Sequence, residues 1–362
     1  MHLYVHIPFC HHICPYCAFY KHTPGRLANR AFVDALLREA RLFTSGRRPS
    51  PETIYFGGGT PTLLSAAHLD HLCTGLGEVF DLSRLTEWTV EANPATFDLA
   101  KARLLREHGV TRVSLGTQSF QRDTLATLGR DHSPEDAVAG FRVLREAGFT
   151  NLNIDLMFSV PGQSLESWQS DIETALTLEP EHVSAYNLTY EEDTAFLARH
   201  LRGELDADEN RDADLFYAGV DAFEGAGFAH YEISNYARPG FESRHNRAYW
   251  GGEDYLGLGP GAVSTLEGRR WTNVPDTARY VAAAESGASV RTAEERLSEE
   301  DRRLEAIGLR LRTAEGLPVR FIRDEERLAS LSREGLVAES GGHLVLTRAG
   351  KALADPIAGM LA

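Results

Sequence analysis

The sequence predicts an α/β protein in which six βα units surround a parallel sheet, followed by a smaller α+β region with a winged-helix-like tail. Three observations lead to this prediction. Short β-branched or aromatic runs alternate with segments of helical period through the first half of the chain. Helix-start signals punctuate that alternation, and it stops after about residue 200. We therefore expect a core over 1–205, an α+β extension over 206–290 and a tail domain over 291–362.

Each of the six predicted strands is followed by polar or Gly-rich residues and then by a helix-like stretch. Ser133, Pro134 and Asp136 have the order of an N-cap, a first helical residue and a capping-box acid, and Ser164 begins the next helix in the same way. The predicted strands are Leu3–Ile7, Thr53–Phe56, Trp88–Glu91, Arg112–Leu115, Leu152–Leu156 and His182–Tyr186.

The second half of the chain mixes helices with short extended pieces. Near its end, Ser298 and Asp301 begin a helix, and Leu336–Leu346 reads as a hairpin that turns at two glycines, which together resemble a winged-helix domain. The tail from 291 to 362 holds 12 Lys+Arg and 13 Asp+Glu, so it has no basic surface for DNA. The other predicted elements are a helix over Ala213–Ala226, an extended piece over Ala229–Ile233 and a Gly-rich run over Tyr255–Ala262.

Composition excludes several classes of protein. With 362 residues and 43% hydrophobic content, the chain can build a full core, which excludes disorder. The net charge of −15 disfavours broad binding to nucleic acid or anionic lipid. Four cysteines are too few for a disulfide scaffold; the first residues lack the basic and apolar stretches that predict a signal peptide, and no apolar run is long enough to predict a membrane span. We expect a cytoplasmic protein that does not bind nucleic acid.

Three of the four cysteines, Cys10, Cys14 and Cys17, form a C-x3-C-x2-C motif directly after the first predicted strand. Thiolates suit zinc or iron–sulfur clusters. Structural zinc needs a fourth ligand, and one of three nearby histidines could provide it; three buried free thiols are a further alternative. A cubane cluster held by three cysteines leaves one iron open for a substrate or cosubstrate. The three histidines are His11, His12 and His22.

This motif resembles the signature of radical S-adenosylmethionine (SAM) proteins. The resemblance implies a partial (βα)6 TIM-like barrel and a [4Fe-4S] cluster on Cys10, Cys14 and Cys17, with SAM chelating the open iron. Cys73 lies among leucines at helical spacing, so we expect a core thiol rather than a ligand.

Polar groups lie where a barrel would place a site, at the carboxyl ends of strands. The run Gly57–Pro61 follows the second predicted strand, and its glycines permit close backbone approach and leave amide donors. Glu91 ends the third strand, where a carboxylate can accept hydrogen bonds from ribose hydroxyls. Gln118 and Asp155 end the fourth and fifth strands.

The series HIPFC, GGGTPT, EANP, SLGTQSF, LGR and NIDLMF-VPGQ resembles the coproporphyrinogen oxidase-like branch of the radical SAM superfamily over nearly the whole chain. Three of the SAM contacts that the resemblance implies have alternative interpretations. Tyr4 and Tyr16 could be aromatic residues of the barrel wall, and Arg130 could be an ordinary surface cation. The SAM contacts that the resemblance implies are Tyr4, Tyr16, Gly58, Gly59, Thr60, Glu91, Gln118, Arg130, Asp155, Thr189 and Val263.

Two groups within this branch differ in function. The oxygen-independent coproporphyrinogen III dehydrogenases carry a fourth cysteine two positions after the third, and an N-terminal extension. Here Phe19 occupies that position and nine residues precede Cys10, which favours the heme chaperones and argues against the decarboxylation reaction. Ala18 departs from the acid that the chaperones usually carry after the third cysteine.

The stretch 243–250 resembles the H-N-x-x-Y-W signature of the heme chaperones. It joins an imidazole, His245, to aromatic residues that can cover a porphyrin. Flanking Gly and Pro predict a loop that approaches the barrel mouth, so we expect His245 and Trp250 to contact heme without being required for the cluster. The alternative is that both residues anchor this loop to the barrel. The resemblance implies heme and an apo-haemoprotein acceptor as partners, and is compatible with peripheral contact with a membrane-bound acceptor.

Overall fold

A computed structural model describes residues 1–25 and 29–362. Six parallel strands in sequential order form the centre of one large sheet, and each is followed by at least one helix. These strands are β1 His2–Ile7, β2 Thr53–Gly58, β3 Glu87–Ala92, β4 Arg112–Gln118, β5 Leu152–Phe158 and β6 His182–Asn187. All six predicted strands are confirmed, with ends that differ by a few residues.

The helices after these strands cover the outer face of the sheet. Two of these helices begin with capping boxes, at Ser133–Asp136 and at Ser164–Ser167. The sequence predicts both residues of the first capping box, and Ser164 predicts the start of the second helix. The helices are α1 Asn29–Thr44, α2 Ala66–Val79, α3 Leu99–Glu107, α4 Arg122–Thr127, α5 Pro134–Glu146, α6 Leu165–Thr177, α7 Ala195–Leu201 and α8 Glu209–Gly225. Short 3-10 turns lie at Pro61–Leu63, Leu82–Arg84, Pro94–Thr96 and Val319–Phe321.

Strands from the second half of the chain extend the same sheet at both edges. Beside β6 lie β8 Asn235–Ala237 and β7 Ala229–Glu232; beside β1 lie β9 Tyr255–Leu258, β10 Val263–Leu266, β11 Arg269–Asn273 and β12 Arg291–Arg296. The helices in this part are α9 Arg244–Trp250 and α10 Thr277–Ser286. The order β12-β11-β10-β9-β1-β2-β3-β4-β5-β6-β8-β7 describes an open, partial barrel.

The C-terminal part has the predicted winged-helix-like composition. Ser298 and Asp301 form a capping box, and the hairpin turns at Gly341 and Gly342. A second hydrophobic cluster, which includes Ile307, Leu331 and Leu344, joins these elements. They are α11 Glu299–Arg310, β13 Leu317–Pro318, α12 Glu325–Arg333, β14 Val337–Ser340, β15 His343–Leu346, α13 Arg348–Lys351 and α14 Ala354–Leu361. The three-part domain division stays a prediction.

The main core lies between the sheet and its outer helices. It includes the fully buried side chains of Trp88, Trp168 and Phe56, while the barrel interior carries polar groups. None of the helices in the described part of the chain has both the length and the apolar character needed to cross a bilayer.

Candidate functional site

The three cysteines lie in a loop that leaves β1 and crosses the carboxyl end of the barrel. A short hydrogen-bonded bridge holds the base of this loop: the amide of Cys10 donates to the carbonyl of His22 at 3.1 Å, and the amide of His22 donates to Pro8 at 2.9 Å. Because both ends of the loop are tied together, Cys10, Cys14 and Cys17 face one cavity of about 580 Å³.

The glycine turn after β2 packs directly under this loop. The amide of Gly59 donates to the carbonyl of Ile7 at 2.8 Å, and that of Thr60 donates to Phe9 at 2.7 Å. A Cβ on Gly59 would lie 2.7–2.9 Å from backbone atoms of Ile7, Pro8 and Phe9. Glycine is therefore required here for close approach between the turn and the loop, as the sequence predicts.

Glu91 faces the cavity from β3. The Tyr55 hydroxyl donates to its Oε1 at 2.7 Å, and the amide of Gly58 donates to its Oε2 at 3.3 Å. Burial raises the pKa of Glu91 to about 7, with a further contribution from Asp155. A carboxylate held in this way is oriented to accept additional hydroxyl donors from a ligand in the cavity.

Gln118 and Asp155 complete the polar wall on β4 and β5. The pairing of these strands shifts register between Leu115 and Gln118, and Gln118 adopts the left-handed region with φ of 66°. This irregularity lets the terminal residue of β4 line the cavity. Asp155 lies in the middle of the longer observed strand rather than at its end, where Ser114 donates to Oδ2 at 3.0 Å and Asn153 donates to Oδ1 at 2.7 Å.

Arg130 is fixed against the cysteine loop. Its guanidinium donates to Asn93 Oδ1 at 2.8 Å and to the carbonyl of Gly116 at 2.9 Å, and it lies 3.5 Å from Cys14 Sγ. These contacts exclude the alternative of an ordinary surface cation. A fixed positive charge therefore lies beside Cys14 Sγ at the wall of the cavity.

The structure tests whether these residues suit a cubane cluster or zinc. His22 has both ring nitrogens engaged, with Thr23 and Thr277, each at 2.8 Å. Within residues 1–25 and 29–362, no three His, Cys, Asp or Glu side chains converge on a single metal ion. A cubane cluster does not need that convergence, since each cysteine binds a different iron. The donor set therefore fits the cluster and argues against zinc.

Burial raises the pKa of Cys10 to about 11 and also raises that of Cys17. Iron would supply the positive charge that offsets this desolvation, so the loop is suited to a bound cluster. The cluster and SAM, when bound, would supply electron transfer to the sulfonium. The chain's own residues bring the three thiols to one cavity, and Glu91, Gln118 and Asp155 line the same cavity.

Most of the predicted SAM contacts meet at this cavity. Two do not line it: the Tyr4 hydroxyl is hydrogen-bonded to His6 Nδ1 at 2.9 Å inside the barrel, and Val263 lies on β10, paired with Thr272 of β11. The predicted contacts that line the cavity are Tyr16, Gly58, Gly59, Thr60, Glu91, Gln118, Arg130, Asp155 and Thr189.

Sequence reasoning missed several residues of the cavity wall. Tyr55 holds Glu91, Asn93 holds Arg130, and Tyr186 lies at the carboxyl end of β6. The strand-end rule could have identified Tyr186, because the sixth predicted strand ends there. The role of Tyr55 depends on a cross-strand contact that one sequence does not reveal.

The H-N-x-x-Y-W segment is a helix, α9, at the amino end of the barrel, so the prediction of a loop at the mouth is wrong. The buried carboxylate of Glu87, at the start of β3, accepts the amides of Arg244 at 2.9 Å and His245 at 3.0 Å. His245 Nδ1 is hydrogen-bonded to Thr53 Oγ1 at 2.7 Å, and its ring packs on Tyr55. Ser243 caps the start of this short helix and Gly251 caps its end, so the glycine after Trp250 marks a helix terminus rather than a loop.

Trp250 takes a different position from His245. It lines a second cavity of about 420 Å³, between α9, the amino ends of β1 and β2, and the end of α11. His245, by contrast, is 8% exposed, and burial lowers its pKa to about 3. These contacts agree with the anchor alternative for His245.

Comparisons with known proteins agree with this geometry. A sequence model of the radical SAM superfamily matches residues 4–175. The heme chaperone HemW of Lactococcus lactis is 40% identical over 87% of this chain and 82% of its own length; that of Bacillus subtilis is 37% identical over 98% and 97%. The solved structure of coproporphyrinogen III oxidase (HemN) from Escherichia coli, a radical SAM enzyme, superposes with a TM-score of 0.85 at 25% identity, covering 99% of this chain and 89% of that one.

The fold and the three-cysteine cavity define a radical SAM protein. Within that superfamily, the chain belongs to the HemW family.

Replacing Cys14 with alanine should abolish the cluster, whereas replacing Cys73 should not. Cys73 is 2% exposed in α2, and burial strongly raises the pKa of its thiol, so it is a packed core residue. After anaerobic reconstitution, Cys73→Ala should contain the same iron per chain as the native protein, while Cys14→Ala should contain little. Equal loss of iron in both variants would overturn the ligand assignment.

His245→Ala should lower the free energy of unfolding by about 1–3 kcal/mol at pH 7.5, because it removes the buried hydrogen bond to Thr53 Oγ1 and the packing of the imidazole ring on Tyr55. The folded-state pKa of His245 is depressed, so the unfolded chain binds the extra proton as the pH falls below 6.5. The stability gap between native and variant protein should therefore shrink by about 1 kcal/mol between pH 7.5 and 5.5.

Urea unfolding at the two pH values measures this gap. Asn246→Ala is the matched control on the same helix, since the Asn246 side chain makes no hydrogen bond within the described residues, and it should change stability by less than about 0.5 kcal/mol. A gap that stays constant with pH would show that His245 is not a buried neutral imidazole.

Proposed function

We propose that the chain is a heme chaperone that carries a [4Fe-4S] cluster and SAM, binds heme and passes it to an apo-haemoprotein. The observation that supports this most is the similarity over nearly full length to relatives named heme chaperone HemW. Phe19, which stands where the dehydrogenases carry a fourth cysteine, is 70% exposed at the edge of the cluster cavity. This chain therefore has an exposed apolar side chain at the position where the dehydrogenases have a thiol.

A second candidate is oxidative decarboxylation of coproporphyrinogen III. It is favoured by the similarity of the fold to HemN across 99% of this chain. The two proposals share the cluster cavity, so the geometry of that cavity does not distinguish them. The missing fourth cysteine favours the chaperone.

Location and partners follow from the same proposal. The four cysteines are unpaired, which suits a reducing compartment, and we propose that the protein acts in the cytoplasm. The acceptor is an apo-haemoprotein, which is compatible with peripheral contact with a membrane-bound partner. Trp250 is proposed to contact heme because it lines a cavity, and contact between His245 and heme stays a prediction.

A product assay combined with a heme titration tests the proposal. The reconstituted full chain should bind heme with a saturating Soret change, release it to an apo-haemoprotein, and form no protoporphyrinogen IX from coproporphyrinogen III with SAM and reductant. Cys14→Ala is the control that lacks the cluster. The chaperone proposal would be overturned if the native protein formed protoporphyrinogen IX and Cys14→Ala did not. It would also be overturned if the native protein failed to bind heme.

A further inference from the structure

Asn93 lies at the wall of the cluster cavity, directly after β3. It is the residue at the start of the 3-10 turn Pro94–Thr96. An asparagine at the start of a helix usually accepts a backbone amide with its side chain, but the Asn93 side chain makes no capping bond of this kind. Its amide group is therefore available to other residues of the cavity wall.

The amide oxygen of Asn93 faces Arg130. Arg130 donates to Asn93 Oδ1 at 2.8 Å, and a guanidinium group has donors only, so this end of the amide is the oxygen. The other end is then the amide nitrogen, which donates to Thr60 Oγ1 at 3.1 Å. The arginine therefore fixes the orientation of the whole amide group.

The Thr60 hydroxyl accepts this hydrogen bond and keeps its own hydrogen for another partner. Thr60 is 3% exposed, and its hydroxyl donates to Cys10 Sγ at 4.0 Å, a distance that the large radius of sulfur still allows. Within residues 1–25 and 29–362, this sulfur is the only acceptor of the hydroxyl. Asn93 therefore directs the hydroxyl hydrogen to Cys10.

Arg130 brings a second donor to a second thiol. The guanidinium that binds Asn93 Oδ1 through Nη2 also lies 3.5 Å from Cys14 Sγ through Nη1. A Cβ on Gly116 would lie 2.9 Å from Asn93 Oδ1, so a glycine is needed there to leave room for the amide. The Asn93 side chain thus holds a donor to each of two thiols.

Hydrogen bonds below the cavity keep Asn93 and Thr60 at a fixed separation. Thr96 Oγ1 donates to the carbonyl of Asn93 at 2.8 Å and lies 2.6 Å from Thr62 Oγ1. The Lys101 ammonium, on α3, donates to the carbonyls of Thr62 at 2.7 Å and Thr96 at 2.8 Å. The turns that follow β2 and β3 are therefore joined to each other.

Donors beside the sulfur ligands of an iron–sulfur cluster affect its reduction potential. Reduction adds negative charge to the cluster, and hydrogen bonds to charged acceptors are stronger than hydrogen bonds to neutral ones. A donor beside a thiolate ligand therefore stabilises the reduced form more than the oxidised form. Loss of the donor should make the reduction potential more negative.

We infer that Asn93 is a positioning residue that sets the reduction potential of the cluster. It directs the Thr60 hydroxyl to Cys10. It also holds the Arg130 guanidinium beside Cys14. This inference rests on the cluster in the proposed function and is independent of heme.

A redox titration of the reconstituted full chain, without SAM, measures this role. Thr60→Val removes the hydroxyl at nearly constant volume, and Asn93→Ala removes the group that directs it. At a fixed potential, each should lower the ratio of reduced to oxidised cluster roughly tenfold, a shift of about 59 mV to more negative potential for a one-electron couple. Thr60→Ser keeps the hydroxyl and should retain the native potential.

The double variant of Asn93→Ala with Thr60→Val distinguishes positioning from an unrelated disturbance. Because Asn93 acts in part through the hydroxyl, the shift in the double variant should be smaller than the sum of the two single shifts. Asn210→Ala is the matched control, since Asn210 is exposed on α8 and does not line the cavity, and it should keep the native potential. Iron content and melting temperature confirm that each variant is loaded and folded.

Native potentials in Thr60→Val and Asn93→Ala would overturn the inference while leaving the cluster intact, and so would fully additive shifts. If Asn93→Ala does not take up iron, Asn93→Leu replaces it, because leucine fills the same space without polar atoms. A native potential in that variant would also overturn the inference. Failure of the native chain to take up iron would instead overturn the cluster of the proposed function together with this inference.

Discussion

The close approach of the Gly57–Gly59 turn to the base of the cysteine loop is the contact on which the cluster site depends. Two backbone hydrogen bonds, from Gly59 to Ile7 and from Thr60 to Phe9, join β2 to the loop that follows β1. The same turn directs the Gly58 amide to Glu91. One segment therefore fixes the position of the cysteine loop and the orientation of the Glu91 carboxylate that faces it.

The barrel separates two sets of polar groups along its axis. The thiols and Glu91 lie around the cavity at the carboxyl end, which Asp155 lines from the middle of β5. At the amino end, Glu87 accepts the first amides of α9 and fixes the H-N-x-x-Y-W helix. A buried carboxylate is costly unless it is hydrogen-bonded, and these helix amides provide its partners. Hydrogen bonds to the barrel therefore hold the H-N-x-x-Y-W helix in place, and Trp250 at its end lines the second cavity.

The sequence was sufficient for the fold and for much of the cluster site, because both depend on local patterns. Strand runs, capping boxes and the C-x3-C-x2-C spacing each predict the structure of the segment in which they occur. The position of α9 was not predictable in the same way, since it depends on pairing with Glu87 and Thr53, which are 158 and 192 residues away from His245. Tyr55 and Val263 show the same limit: contacts between distant strands decide whether a residue reaches the cavity.

The claim that cluster and heme occupy opposite ends of the barrel is tested most directly by measuring heme affinity and iron content in the Gly59→Ala variant. The added Cβ would displace the cysteine loop, whereas Gly77→Ala, with its nearest neighbour at 3.8 Å, serves as a control in α2. We expect Gly59→Ala to lose iron after reconstitution but to bind heme as the native protein does. Loss of iron and heme together, in a variant with a native melting temperature, would contradict it.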